Sequence, residues 1–409
     1  MTKMKSGYTI LCTWEIGSEL GHISRLSAIV RKLESQNYNV VVALKDLSRA
    51  YPFFSETNAT LLQAPVWLPK ISMQRPIACL ADSLLLLGYL ETDALHSLVV
   101  AWESIFDLVK PDLVVFDYSP TAMLALLNYS IPKMLVGTGF ADPAPGYSIV
   151  DWRPYSINDQ LVQRQEDRVL AQINNVLERK NISRLTKLSD LFFVDKVMIT
   201  TFPELDLYKG LRKQVKYCLG ASSVLVEKKI QFPCSKKLKI VAYLKSDYPQ
   251  LLLLIEALSK CDASVFISCP QGNPQDFQPY ACEDFQFSID LVDLENAMSE
   301  ADLFVGHGNA ATLKESLVAG TPVLVLPIQL EQLLNGKMVQ ESRYGRLVEK
   351  IESVDGLVVI LNEMLKSKDG YQNQVSELLS RHPESERVSI SDAVAAEVKL
   401  LLPKTDKNL

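Results

Sequence analysis

The stretch His307-Gly308-Asn309-Ala310-Ala311-Thr312-Leu313-Lys314-Glu315, followed by the apolar run Pro322-Val323-Leu324-Val325-Leu326-Pro327 and then by Glu331-Gln332, decides how this chain folds. A strand is predicted over 303–305 and a helix over 311–319, so the polar loop falls between a strand end and a helix start. Such a turn presents backbone N–H groups to an anion and is favoured further by the helix dipole. Gly308 lets the backbone approach closely, His307 is placed to donate to a phosphate oxygen, and the Thr312 hydroxyl faces the same point. One turn on, Glu315 is placed to accept from a ribose hydroxyl. Beyond the next strand, Glu331 and Gln332 set a carboxylate and an amide side by side, which suits the vicinal hydroxyls of a sugar.

Working outward, strand-like runs at 238–244, 264–268, 285–289, 303–305 and 323–326 alternate with helical stretches at 248–259, 311–319 and 329–342. The first half repeats the pattern, with strands expected at 8–13, 38–44, 60–63, 112–116 and 133–136, and a helix over 22–33 that puts Ile23, Leu26, Ile29, Val30 and Leu33 on one face. The reading is an α/β chain of two doubly wound, Rossmann-like domains. The first spans 1–220, a Ser- and Lys-rich linker and hinge spans 221–236, and the second spans 237–409 and includes a final amphipathic helix over 389–402. A length of 409 residues fits two cores better than one.

Composition narrows the function classes. Hydrophobic residues make up 48% and charged residues 22%, as in an ordinary globular chain. A net charge of −6 with no clustered basic face argues against a nucleic-acid partner. Seven scattered cysteines without paired or metal-type spacing read as buried free thiols in a reducing, cytoplasmic setting. The N-terminus carries no signal-peptide core, and the apolar stretch 79–100 is interrupted by Asp82, Glu91, Asp93 and His96, so a soluble helix or helix pair is expected there and no membrane span. Peripheral membrane contact is left open.

A second constellation lies near the N-terminus. The first strand runs into Trp14-Glu15-Ile16-Gly17-Ser18-Glu19-Leu20-Gly21-His22. In the commonest doubly wound order the fourth strand lies beside the first, so Asp117 emerges next to His22, at the strand ends where ligands of such sheets bind. A carboxylate there holds the imidazole in one tautomer and stabilises its protonated form. His96 and His382 have no such setting and read as surface or packing residues.

The order His307, Thr312, Glu315, Pro327, Glu331-Gln332 resembles the donor-binding signature of the GT-B-fold glycosyltransferases related to the UDP-glycosyltransferases, especially their bacterial members. Gly21-His22 before an amphipathic helix is similar to the N-terminal loop of the same family. The resemblance implies two domains facing across a cleft, with His22 as general base and Asp117 as its orienter. It implies that His307 and Thr312 touch a diphosphate, Glu315 the ribose, and Glu331 and Gln332 the transferred sugar. With Gly21, Gly308 and Asn309 these make the expected donor-binding set. Asn309 and Ala311 depart from the family signature, Ile289 stands where plant relatives carry a base-stacking tryptophan, and Arg25 replaces a common proline; Arg25 has either substrate phosphate or a neighbouring carboxylate within its expected reach.

The activity implied is an inverting transfer of a sugar from a nucleoside diphosphate donor, taken as a UDP-sugar, to the hydroxyl of an unassigned acceptor, with no cofactor. No metal is expected: an Asp-x-Asp pair is absent, and Glu204-Leu205-Asp206 reads as a structural turn. Phe140, Tyr147, Trp152 and Tyr155 form an aromatic loop in the region where relatives build the acceptor pocket. Two other readings share the fold: a nucleotide-sugar 2-epimerase, and a non-catalytic nucleotide-sugar binder in which His22 is dispensable.

Overall fold

The computed structural model describes residues 7–17, 20–153, 158–221, 232 and 238–402. The chain divides into two compact units, one built from 1–220 together with 388–409, the other from 221–387. The expected linker and hinge, 221–236, and Tyr155 fall almost wholly outside the described residues; only Ala221 and Phe232 of the linker are described.

The first unit carries a seven-stranded parallel sheet: β1 (Thr9–Trp14), β2 (Asn39–Leu44), β3 (Thr60–Gln63), β4 (Leu113–Asp117), β5 (Lys133–Gly137), β6 (Lys196–Ile199) and β7 (Val215–Tyr217), in the order β3-β2-β1-β4-β5-β6-β7. Strands such as Asn39–Leu44 and Leu113–Asp117 are nearly all Val, Leu, Ala or Phe because both faces of a parallel sheet are covered. The helix Leu20–Ser35 buries Ile23, Leu26, Ile29, Val30 and Leu33, the face its spacing predicts. The apolar stretch near residue 80 forms two helices, Leu80–Leu85 and Thr92–Val109.

The second unit carries six parallel strands: β8 (Lys239–Tyr243), β9 (Ser264–Ser268), β10 (Phe285–Ser288), β11 (Leu303–Gly306), β12 (Val323–Val325) and β13 (Gly345–Leu347), in the order β10-β9-β8-β11-β12-β13. In each sheet the winding reverses between the first-formed strand and its fourth neighbour, between β1 and β4 in one and between β8 and β11 in the other. These are the points where open α/β sheets bind ligands.

One assignment is corrected. The final helix, Ile390–Leu401, was expected in the second domain but belongs to the first. Ile390, Ala393, Val394 and Val398 are buried in one core with Ile23, Leu26 and Val30, and Lys32 pairs with Asp392 at 2.5 Å. Ser389 caps the helix by accepting from the Asp392 N–H at 3.1 Å. Periodicity shows that a helix has a buried face; it does not show which core receives it.

Among the described residues no helix is long and apolar enough to cross a membrane.

Candidate functional site

In the first unit the switch point lies where β1 and β4 end side by side, with Trp14 in register with Asp117. His22 sits in the first turn of the helix that follows β1. Its Nδ1 lies 2.7 Å from Asp117 Oδ1, and Asp117 is wholly buried while the His22 side chain keeps 17% exposure. An ionised carboxylate accepts only, so this contact fixes Nδ1 as the protonated nitrogen and leaves the Nε2 lone pair to act as base.

Asp117 has a second partner. Arg25, one helical turn beyond His22, donates from Nε to Oδ2 at 2.8 Å and from Nη2 to Oδ1 at 2.7 Å. This settles the reach of Arg25 in favour of the carboxylate. Burial on its own raises the Asp117 pKa, but the charges of Arg25 and then His22, with their hydrogen bonds, outweigh it and hold the carboxyl below its ordinary value. Two aromatic rings flank the imidazole: Trp14 at 5.3 Å and 15°, and Tyr118 at 6.3 Å and 28° between centroids. Tyr118 sits at φ +45°, a left-handed conformation at the residue directly after Asp117.

Two further buried carboxyls surround this pair. Glu15 accepts from the Thr121 hydroxyl, from the Thr121 N–H at 2.9 Å and from the Ala122 N–H at 3.3 Å, so it caps the short helix Pro120–Ala125. Burial pushes its pKa up to about 7, against the pull of those hydrogen bonds. Asp142, beyond β5, is raised to about 6 by burial and by the charge of Asp117, with Arg212 and Arg25 opposing. Neither was singled out from sequence. Glu15 had a signal, a carboxylate directly after a strand at the switch point; Asp142 had none.

The expected acceptor loop is partly core. Trp152 is buried and stacks on half-buried Phe140 at 4.3 Å and 24°, while Tyr147 is 39% exposed. Glu204-Leu205-Asp206 lies at a single helical turn, with Asp206 buried and paired to Arg212 at 2.7 Å.

In the second unit, β11 leads through His307-Gly308-Asn309 into the helix Ala310–Val318. Gly308 adopts φ +88°, and a Cβ there would lie 2.7 Å from Val325 Cγ1 and 2.9 Å from the Gln332 carbonyl oxygen. Only glycine fits that turn. Two expectations are corrected here. His307, buried to 2% exposure, uses both ring nitrogens on backbone: Nδ1–H donates to the Leu326 carbonyl at 2.8 Å, and Nε2 accepts the Lys245 N–H at 2.9 Å. It ties the ends of β8 and β12 together across the switch point and has no ring N–H left for a phosphate.

Gln332, at 1% exposure, is likewise internal. Its oxygen accepts from the Ile328 and Gln329 N–H groups at 2.7 and 3.2 Å, as the third residue of a capping box on the helix Leu330–Glu341, and its amide donates to Asn309 Oδ1 at 2.8 Å. Asn335 adds a 2.9 Å hydrogen bond to the Gly308 carbonyl. These side chains brace the turn from behind. Thr312, whose hydroxyl donates to the Asn309 carbonyl at 3.2 Å, and Glu315 stand half-buried on the first turns of the Ala310–Val318 helix, and Glu331 is half-buried on the first turn of the Leu330–Glu341 helix. The first N–H groups of the Ala310–Val318 helix have no partner within the helix.

Two parallel-sheet Rossmann-like units with these two switch-point turns define a GT-B-type protein. Residues 220–387 match the glycosyltransferase family 28 C-terminal domain. The NDP-glycosyltransferase YjiC of Bacillus subtilis (strain 168) is 27% identical over 108 residues, which cover 26% of this chain and 27% of that protein. Among solved structures, the calicheamicin glycosyltransferase CalG4 superposes with a TM-score of 0.73 at 14% identity, covering 98% of this chain and 100% of that one. The Streptomyces sp. SF2575 glycosyltransferase SsfS6 complexed with thymidine diphosphate superposes at 0.63 and 14% identity, covering 96% and 99%. At these identities the likeness is one of fold.

Proposed function

We propose that this protein is an inverting glycosyltransferase that moves a sugar from a pyrimidine nucleoside diphosphate to an acceptor hydroxyl. The observation that carries the reading is the 2.7 Å contact of His22 Nδ1 with a buried, ionised Asp117. That contact equips Nε2 to take the acceptor proton as the acceptor oxygen attacks the anomeric carbon. One bond forms to that oxygen and the bond to the diphosphate breaks on the opposite side, so a single displacement inverts the anomeric configuration.

The diphosphate gains charge as it leaves. In this reading it rests on the N–H groups at the start of the helix Ala310–Val318, with Thr312 beside it, Glu315 toward the ribose and Glu331 toward the sugar hydroxyls. The dipole and backbone donors supply the stabilisation that a divalent metal provides in other transferases. The thymidine diphosphate bound by SsfS6 supports a pyrimidine base, with uridine and thymidine donors both in scope. The five buried cysteines among the described residues favour a reducing, cytoplasmic setting.

The test is a panel of UDP- and TDP-sugars with candidate hydroxyl acceptors, following diphosphate release, product anomer and donor isomerisation for the wild type and His22→Ala. Acceptor-dependent release that vanishes in His22→Ala and yields an inverted product supports the reading. Donor isomerisation without acceptor, or release unaffected by the substitution, overturns it.

A further inference from the structure

We infer that Gly17 is a positioning residue for the His22 base: its lack of a side chain keeps the Nε2 lone pair open to an acceptor hydroxyl, and Lys45 holds it in that place. The inference deepens the transferase reading above and rests on it.

A Cβ added to Gly17 would lie 2.5 Å from His22 Nε2, and 3.2 and 3.4 Å from the flanking Cδ2 and Cε1. A point nearest the nitrogen and almost equally far from its two bonded carbons lies outward from the ring edge, on the side of the Nε2 lone pair. Any side chain at residue 17 therefore presses on the one imidazole nitrogen that Asp117 does not engage. The backbone enforces the same choice, since Gly17 sits at φ +97°, where L side chains are strained.

Three tethers fix the loop. The Gly17 carbonyl accepts from Lys45 Nζ at 2.7 Å, the Ile16 N–H donates to the Tyr118 carbonyl at 3.1 Å, and the Trp14 indole N–H donates to the Ile16 carbonyl at 2.6 Å. Lys45 follows β2, so neighbouring strand ends contribute the base, its carboxylate and the strap that sets the glycine. Trp14 and Tyr118 stack beside the same ring.

The experiment treats the full chain with diethyl pyrocarbonate, which acylates imidazole nitrogen, and follows His22, His96 and His382 separately by peptide mass spectrometry. Gly17→Ala is expected to slow acylation of His22 by about tenfold or more, in line with the sensitivity of such sites to a displacement near 1 Å, while His96 and His382 react as before. It is also expected to lower kcat and leave the donor KM unchanged, a split that a general loosening of the fold does not produce. Unchanged or faster acylation of His22 in a folded variant overturns the inference.

If Gly17→Ala does not fold, the wild type decides. With selectively labelled glycine and histidine, cross-relaxation between the Gly17 α-protons and the His22 ring protons is expected, and its absence overturns the assignment. A wild type that transfers no sugar while Gly17→Ala still protects His22 from acylation refutes the transferase reading and leaves the steric role of Gly17 standing.

Discussion

Arg25 and Asp117 form a two-point ion pair, with Nε and Nη2 on separate carboxylate oxygens at 2.8 and 2.7 Å, and His22 shares one of those oxygens. One buried carboxylate thus serves both a guanidinium and an imidazole. Arg25→Met removes the permanent partner and leaves Asp117 buried with His22 alone, which is expected to cost about 3 to 5 kcal/mol of stability. Denaturant unfolding at neutral pH measures it, and a loss under about 1 kcal/mol would show the pair to be dispensable.

His22→Ala and Asp117→Asn are both expected to reduce kcat by roughly 10²- to 10⁴-fold, the range of general base catalysis. The double variant should be little worse than either single one, since each removes the same unit. Additive losses would assign the two residues to separate steps.

Gln332→Ala removes three hydrogen bonds, two at the start of the helix Leu330–Glu341 and one to Asn309. The expected effect is a stability loss of about 1 to 3 kcal/mol together with weaker binding of UDP or TDP, because the turn loses its brace. Calorimetric titration with the free nucleotide separates this from a direct sugar contact, which would weaken only the sugar-bearing donor.

Stability should fall as pH rises through the weakly acid range. Glu15 is raised from 4.5 to about 7 in the folded chain, so between those values the native state binds more protons than the unfolded one. The unfolding free energy therefore decreases with pH across that window, by at most about 3 kcal/mol from Glu15. Glu15→Gln should flatten the slope, leaving the smaller contribution of Asp142 between 3.8 and about 6. Asp117 acts oppositely: its lowered pKa adds stability above 3.8 that is lost on further acidification.

Val398→Ala, on the final helix, should destabilise the first unit by about 1 to 3 kcal/mol, and it should leave the second unit's unfolding unchanged. Two-transition calorimetry assigns the loss to one unit.

Ten of the thirteen strands among the described residues were legible because a parallel sheet buried on both faces demands unbroken apolar runs. Strands β6, β7 and β13 were not, being only three or four residues long and flanked by charge, as in Val215–Tyr217 and Gly345–Leu347. The 21-residue helix Asp159–Arg179 was also missed, since its buried Val162, Val169, Ile173 and Val176 are diluted by surrounding Gln, Glu and Arg. At the site, the nearness of His22 to Asp117 followed from strand order alone. What escaped was partner choice: His307 and Gln332 carry the atoms for ligand contact, yet both spend them on backbone and on Asn309, which spacing does not reveal.

The return of the helix Ile390–Leu401 to the first unit sets an order on synthesis. The seven-stranded sheet leaves the ribosome first, but the core that Ile23, Leu26 and Val30 share with its strands lacks Val394 and Val398 until the whole second unit has been translated. The second unit, an uninterrupted segment, is free to complete itself in the meantime. The amino-terminal unit therefore completes its core last, although its sheet is made earliest.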